Sequence, residues 1–172
     1  MGSVPLPPIT LRYSGLFDFD GLYAAVIDWA KNYGYRWHEK SYKHKVPVPT
    51  GAEQELEWEI TKNVTEYINY TISFSLHIWD LKEVNVDNKI LSNARIYIIM
   101  NSKINYDWQK KFSGSRFKEW LGKKYEWNVK REVETKHFDQ LYYRIWNLHA
   151  LMKKYFDMQT KKYMWKGYLG EN

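Results

Sequence analysis

The chain reads as an α+β fold: a four-stranded antiparallel β-meander with an N-terminal helix and C-terminal helices packed on one face. Three observations predict it. An apolar period of 3.6 residues runs through 22–33, four stretches of two-residue alternation fall between 35 and 100, and helical spacing returns beyond 115.

The first fourteen residues hold Pro5, Pro7 and Pro8, which fit neither a helix nor a central strand, and they are expected to form an extended arm. Asp18 or Asp20 then caps a helix in which Leu22, Tyr23, Val26, Ile27, Ala30 and Tyr33 share a side, and Gly34 stops it. From Tyr35 to Val46 basic and aromatic residues alternate, up to the turn signal Pro47-Val48-Pro49-Thr50-Gly51. Glu53, Glu55, Glu57 and Glu59 next alternate with Leu56, Trp58 and Ile60, the pattern of a half-buried strand.

Folding these two strands about Thr50 would set Lys45 against Glu55 and Lys43 against Glu57, with Tyr42 meeting Trp58 and His44 meeting Leu56. A third strand carries Ile68, Tyr70, Ile72, Phe74, Leu76 and Ile78 on one face. Asp87-Asn88 marks a turn, and a fourth strand places Ala94, Ile96, Ile98 and Met100 opposite Arg95, Tyr97 and Ile99. A short helix over 115–125 and a long one over 127–158 complete the chain. In the long helix Phe138, Leu141, Ile145, Leu148, Met152 and Tyr155 form a stripe that is expected, with the N-terminal helix, to cover the dry face of the sheet.

At 172 residues the chain is predicted to be one domain: arm 1–14, helix plus meander 15–106, helical region 107–160 and a basic aromatic tail 161–172. It has no cysteine, which excludes disulfides, thiolate metal sites and a thiol nucleophile. No window is apolar enough for a membrane span and no secretory signal opens the chain. The expected location is therefore the cytoplasm or a virion or similar particle, with no membrane partner. Net charge is +6, but residues 1–102 carry 10 Lys and Arg against 12 Asp and Glu, while 103–172 carry 16 against 8. That asymmetry suits an acidic partner, and a solvated lysine-rich helix face is the competing reading.

The sequence contains no phosphate-cradling glycine loop, no HExxH or EF-hand spacing and no nucleophile elbow, so no catalytic residue, cofactor or metal site is expected. His38 and His44 would share a strand face but stand about 20 Å apart, too far to hold one ion. Asp18 and Asp20 are the nearest thing to a carboxylate pair, and helix capping accounts for them.

Aromatic residues make up 18% of the chain, more than one core readily buries, and such rings are enriched at protein interfaces. The expected function is therefore a non-enzymatic structural or assembly protein that docks on neighbouring subunits, its own or another's, through Tyr35, Trp37, Tyr163, Trp165 and Tyr168. The alternative is a nucleic-acid-binding accessory protein contacting phosphate through Lys123, Lys124, Lys130, Arg131, Lys161 and Lys162.

The run FDFDGLYAAVIDWAKNYGYRWHEKSYKHK at Phe17 to Lys45, followed by ELEWEITKNVTEYINYTISFSLHIWDL, resembles small proteins of archaeal and viral type. These share an aspartate-capped helix, a Gly-Tyr break and an E-x-x-W-E strand pair. The resemblance covers about the first half of the chain and implies the helix-then-meander order, with no activity attached to it.

Overall fold

The computed structural model describes residues 2–48, 51–86, 89–109, 116–156 and 158. Its strands are β1 (Gly2–Pro5), β2 (Ile9–Phe17), β3 (Arg36–Val48), β4 (Gly51–Asn63), β5 (Ile68–Val86) and β6 (Lys89–Tyr106). They form one antiparallel sheet in the order β1-β6-β5-β4-β3, with β2 also paired to β6. The helices are α1 (Phe19–Asn32), α2 (Arg116–Glu132) and α3 (Phe138–Tyr155), the last two joined by a π-turn at Val133–His137.

The sheet therefore has six strands where the sequence predicts four. The Pro-rich arm is extended as expected, but it lies along the edge of β6. Gly2 to Pro5 pair with Tyr106 to Lys103, and the Leu6 N–H donates to the Ser102 carbonyl at 2.9 Å. Pairing resumes at Ile9 opposite Met100, so Pro7 and Pro8 together face Asn101, and the extra residue is taken up as an irregularity where no N–H is needed. Beyond it, burial of Ile9, Leu11 and Phe17 secures the second piece.

Asp18 caps α1, its Oδ1 accepting the Gly21 N–H at 2.8 Å, and Gly34, at φ 71°, lets the chain leave the helix. Since α1 links β2 at one edge to β3 at the other, it must cross the sheet, and it buries Leu22, Val26, Trp29 and Ala30 on the way. Leu141, Ile145, Leu148 and Met152 of α3 join the same core, as the stripe predicts. The Trp29 indole N–H donates to Asn147 Oδ1 at 2.8 Å and ties the two helices together. Beneath them the inner face of the sheet contributes Trp58, Ile60, Ile72, Phe74, Ile78, Ile96 and Ile98, nearly all fully buried.

The first hairpin keeps its charge pairing but slides. Lys43 faces Glu55, Tyr42 faces Leu56, His44 faces Gln54 and Lys45 faces Glu53. The predicted partners are each displaced because the pairing is irregular between Lys45 and Val48, where Val48 closes the hairpin against Gly51. A second bulge between Glu39 and Ser41 inserts one residue and reverses the parity of the strand. His38, opposite Glu59, and His44, opposite Gln54, therefore lie on opposite faces; Tyr42 keeps the expected side, opposite buried Leu56, yet is 53% exposed there.

The predicted break at 125–127 is also absent. No glycine or proline interrupts 123–158, and α2 continues to Glu132 before the π-turn, where Thr135 Oγ1 donates back to the Arg131 carbonyl at 2.8 Å. The Asp87-Asn88 turn lies outside the described residues, with Val86 and Lys89 paired on either side of it.

Candidate binding surfaces

Antiparallel register sets polar residues of five strands in one row across the outer face: Lys43, Glu55, His77, Tyr97 and Arg12. Lys43 Nζ is 3.7 Å from Glu55, His77 Nε2 is 2.5 Å from Glu53 Oε1 and 3.9 Å from Glu55, and the Arg12 guanidinium sits 4.5 Å over the Tyr97 ring. Partly exposed pairs of this kind contribute at most about 1 kcal/mol each to stability, so they order the surface more than they hold the fold.

Beside that row stands a second, Trp79, Arg95 and Ser14. The His77 and Trp79 rings stack at 3.9 Å and 20°, and Arg95 Nε donates to Asp80 Oδ2 at 2.6 Å. Asp80 has φ 56°, on a bulge between Trp79 and Lys82, where the ladder skips and side chains are turned relative to a regular strand. Between the rows an open pocket of about 500 Å³ is lined by Arg12, Tyr13, Ser14, Trp79, Arg95, Ile96 and Tyr97.

Ligand atoms of Glu53, Glu55 and His77 lie within 4.8 Å of one another, close enough to share one divalent cation, though Lys43 competes for Glu55. Histidine spacing in the sequence could not reveal this trio, because its members come from two strands brought together by register.

The second surface is helical. On α2, Phe117 is 69% exposed, Trp120 56% and Trp127 78%, with Leu121 and Tyr125 also outward, and on α3 Tyr143 and Trp146 are exposed. Phe117, Trp120, Leu121 and Lys124 follow helical spacing along one side. The Phe117 and Trp120 rings stack at 6.1 Å, and Lys124 Nζ lies 5.5 Å over Trp120. Tyr125 meets Tyr67 edge-on at 5.0 Å, which joins α2 to the loop before β5.

The groups with shifted acidity lie in the helix-covered layer. Burial raises Tyr23 to about 12, helped by its 3.0 Å hydrogen bond to Glu39. Burial likewise raises Tyr35 to about 12 against an opposing pull from Arg144. Tyr70 is pushed well above the usual phenol range by burial and by Tyr35, and its hydroxyl donates to Gln140 and shares a hydrogen bond with His137 Nδ1 at 2.7 Å. His149 is lowered, first by burial and then by Lys153. None of these four lines the outer pocket.

Of the residues predicted to meet a partner, Tyr35 is 5% exposed, stacked on Trp29 at 5.4 Å, and Trp37 packs against Tyr23 and Trp58. Tyr35 belongs to the core and Trp37 is partly buried against it, because they lie on the inner side of the chain entering β3, where α1 packs. Tyr163, Trp165, Tyr168, Lys161 and Lys162 lie outside the described residues, as does the Lys123 side chain. Lys124, Lys130 and Arg131 are exposed on α2. Helical spacing in the sequence already sets Phe117, Trp120 and Leu121 together on the short helix; what it does not tell is that this side faces solvent, because the rings are interleaved with charges over 116–132. Among the described residues no helix is long and apolar enough to cross a membrane. The chain matches no family model and no curated protein.

Proposed function

We propose that this chain is a non-enzymatic assembly protein that docks, through the aromatic side of α2 and α3, on neighbouring subunits of a multi-protein particle such as a virion. The carrying observation is the outward display of Phe117, Trp120, Trp127, Tyr143 and Trp146. Large rings held in water along a helix are costly to leave uncovered, and rings of this kind become the anchors of an interface once a partner excludes the solvent. The placement of the shifted groups supports the reading: they are phenols and an imidazole held in packing, away from the open pocket, and acid–base chemistry would want them in it.

Light scattering on the purified full chain across a concentration series tests this. Association that rises with concentration and is lost in a Trp120→Ala, Trp127→Ala double variant of unchanged stability supports it. A chain that stays monomeric at every concentration, and recovers from its native source without a bound protein, overturns it. Nucleic-acid binding is the second reading, favoured by Lys124, Lys130 and Arg131 lying exposed on the same helix. Under that reading the mass shifts only with added nucleic acid and the complex dissociates steeply with salt.

A further inference from the structure

We propose that the open pocket on the outer sheet face binds a phosphorylated nucleoside, with Arg12 and Arg95 taking the phosphate and Trp79 stacking on the base. The site lies on the side of the sheet away from α1 and α3, and the inference goes beyond docking through the helices.

Each part of the pocket is supplied by the sheet and held by a named neighbour. Arg12 is paired in register with Tyr97 and lies over its ring, so the guanidinium is laid down on the sheet surface. Arg95 spends Nε on Asp80, its side chain is 61% exposed, and a guanidinium carries five N–H donors in a fork that matches phosphate oxygens. Two cations from adjacent strands lining one hollow is the arrangement that an anion recognises.

The rings give the rest of the ligand its character. Trp79 is stacked on His77, and His77 is in turn fixed by Glu53, so the indole is held in place before any ligand arrives. A base stacks on such a ring regardless of its identity, and a ring already ordered loses little freedom on binding. The bulge that carries Asp80 at φ 56° turns this stretch of β5 beside the pocket, and the Asp80 carboxylate can accept from a ribose hydroxyl or a base amino group. At about 500 Å³ the hollow falls within the range of small-molecule sites. An apolar ligand would leave without a ligand partner the guanidinium N–H groups that Arg95 does not spend on Asp80 and those of Arg12, and a bare phosphate would leave the indole unused.

Such a ligand could be a free nucleotide or one residue of a single strand, and the test separates them. Binding of nucleoside 5′-monophosphates, inorganic phosphate and a labelled single-stranded oligonucleotide is measured by calorimetry or anisotropy on the full chain and on Arg12→Gln, Arg95→Gln, Trp79→Leu and a Lys124→Gln, Lys130→Gln pair. The expected result is mononucleotide binding weakened about tenfold or more by each of the first three variants and unchanged by the lysine pair. Inorganic phosphate should compete more weakly than the nucleotide.

An oligonucleotide no tighter than the mononucleotide assigns the site to free nucleotides. One that is about tenfold tighter and loses that margin in Arg12→Gln assigns it to a strand. If neither ligand binds up to about 5 mM, the proposal is wrong. Binding that all three pocket variants leave unchanged places the ligand elsewhere and overturns it equally. Trp79→Phe, which keeps a ring, should retain most of the affinity, and it guards against a Trp79→Leu chain that merely fails to fold.

Discussion

Substituting Gly51 by alanine should destabilise the protein out of proportion to one methyl group. Gly51 opens β4 at φ 141°, a conformation that L side chains rarely adopt, and a Cβ there would fall 2.5 Å from the Asp80 carbonyl carbon and 2.7 Å from its Cα. Ordinary contact needs roughly 1 Å more than that, and the obstacle is backbone, which cannot rotate away as a side chain would. Backbone strain of this kind costs about 1–3 kcal/mol and forced overpacking about the same again, so the expected loss is roughly 2–6 kcal/mol. With a urea slope of about 2 kcal/mol per molar, the unfolding midpoint should fall by about 1–3 M. Equilibrium urea denaturation followed by circular dichroism measures it, with Ala52→Gly as a neighbouring control. Because Asp80 holds Arg95, the variant should also weaken nucleotide binding in the outer pocket. A midpoint within about 0.3 M of the parent protein would refute the close approach of Gly51 to β5.

The core and the display surface should separate cleanly: Leu148→Ala, at a fully buried position of α3, should cost about 2–5 kcal/mol, whereas Trp127→Ala should stay within about 0.5 kcal/mol in a thermal melt. Trp29→Phe removes a hydrogen bond to Asn147, while Trp58→Phe removes an indole N–H that is buried with no acceptor among the described residues. The first should therefore cost about 1 kcal/mol more than the second in urea denaturation. His149 titrates below its ordinary 6.5 in the folded chain, so on acidification the unfolded chain takes up this proton first. Stability linked to this group should be complete above about pH 7.5 and fall as pH drops through 6.5 toward the folded value, and His149→Gln should flatten that part of the profile.

Much of the fold was legible because single residues carry the signal. Asp18 and Gly34 mark the ends of α1, and the alternations in β4, β5 and β6 and the stripe of α3 each point to one face. The two extra strands were hidden because Pro7 and Pro8 argue against a strand, while the apolar run that favours one, Ile9, Leu11 and Phe17, is short and broken by Gly15. The slide of the first hairpin was not legible, since the irregularity between Lys45 and Val48 shifts the partners of residues 41–45 by register alone, and the bulge between Glu39 and Ser41 shifts those of 36–39 by one more. The outer pocket shows the same limit at the level of function. Arg95 and Tyr97 could be placed together on one strand face from spacing alone, but Arg12 and Trp79 reach them only through pairings between residues more than fifteen apart in the chain. Tyr35 and Trp37 misled because a ring beside lysines looks the same in sequence whether it faces a partner or a crossing helix.

The edge position of β1 and β2 also sets an order of events during synthesis. Residues 2–17 leave the ribosome well ahead of their partner, since the strand they must pair with, β6, ends only at Tyr106. At about 5–20 residues per second, the N-terminal segment waits several seconds or more with Ile9, Leu11 and Phe17 in water. The hairpins β3-β4 and β5-β6 can close on themselves in the meantime, because their partners are near neighbours. Until the arm docks, β6 offers an open edge and the arm is an unpaired strand of matching pattern. Two chains made side by side on one message could therefore exchange arms before either had finished its own sheet.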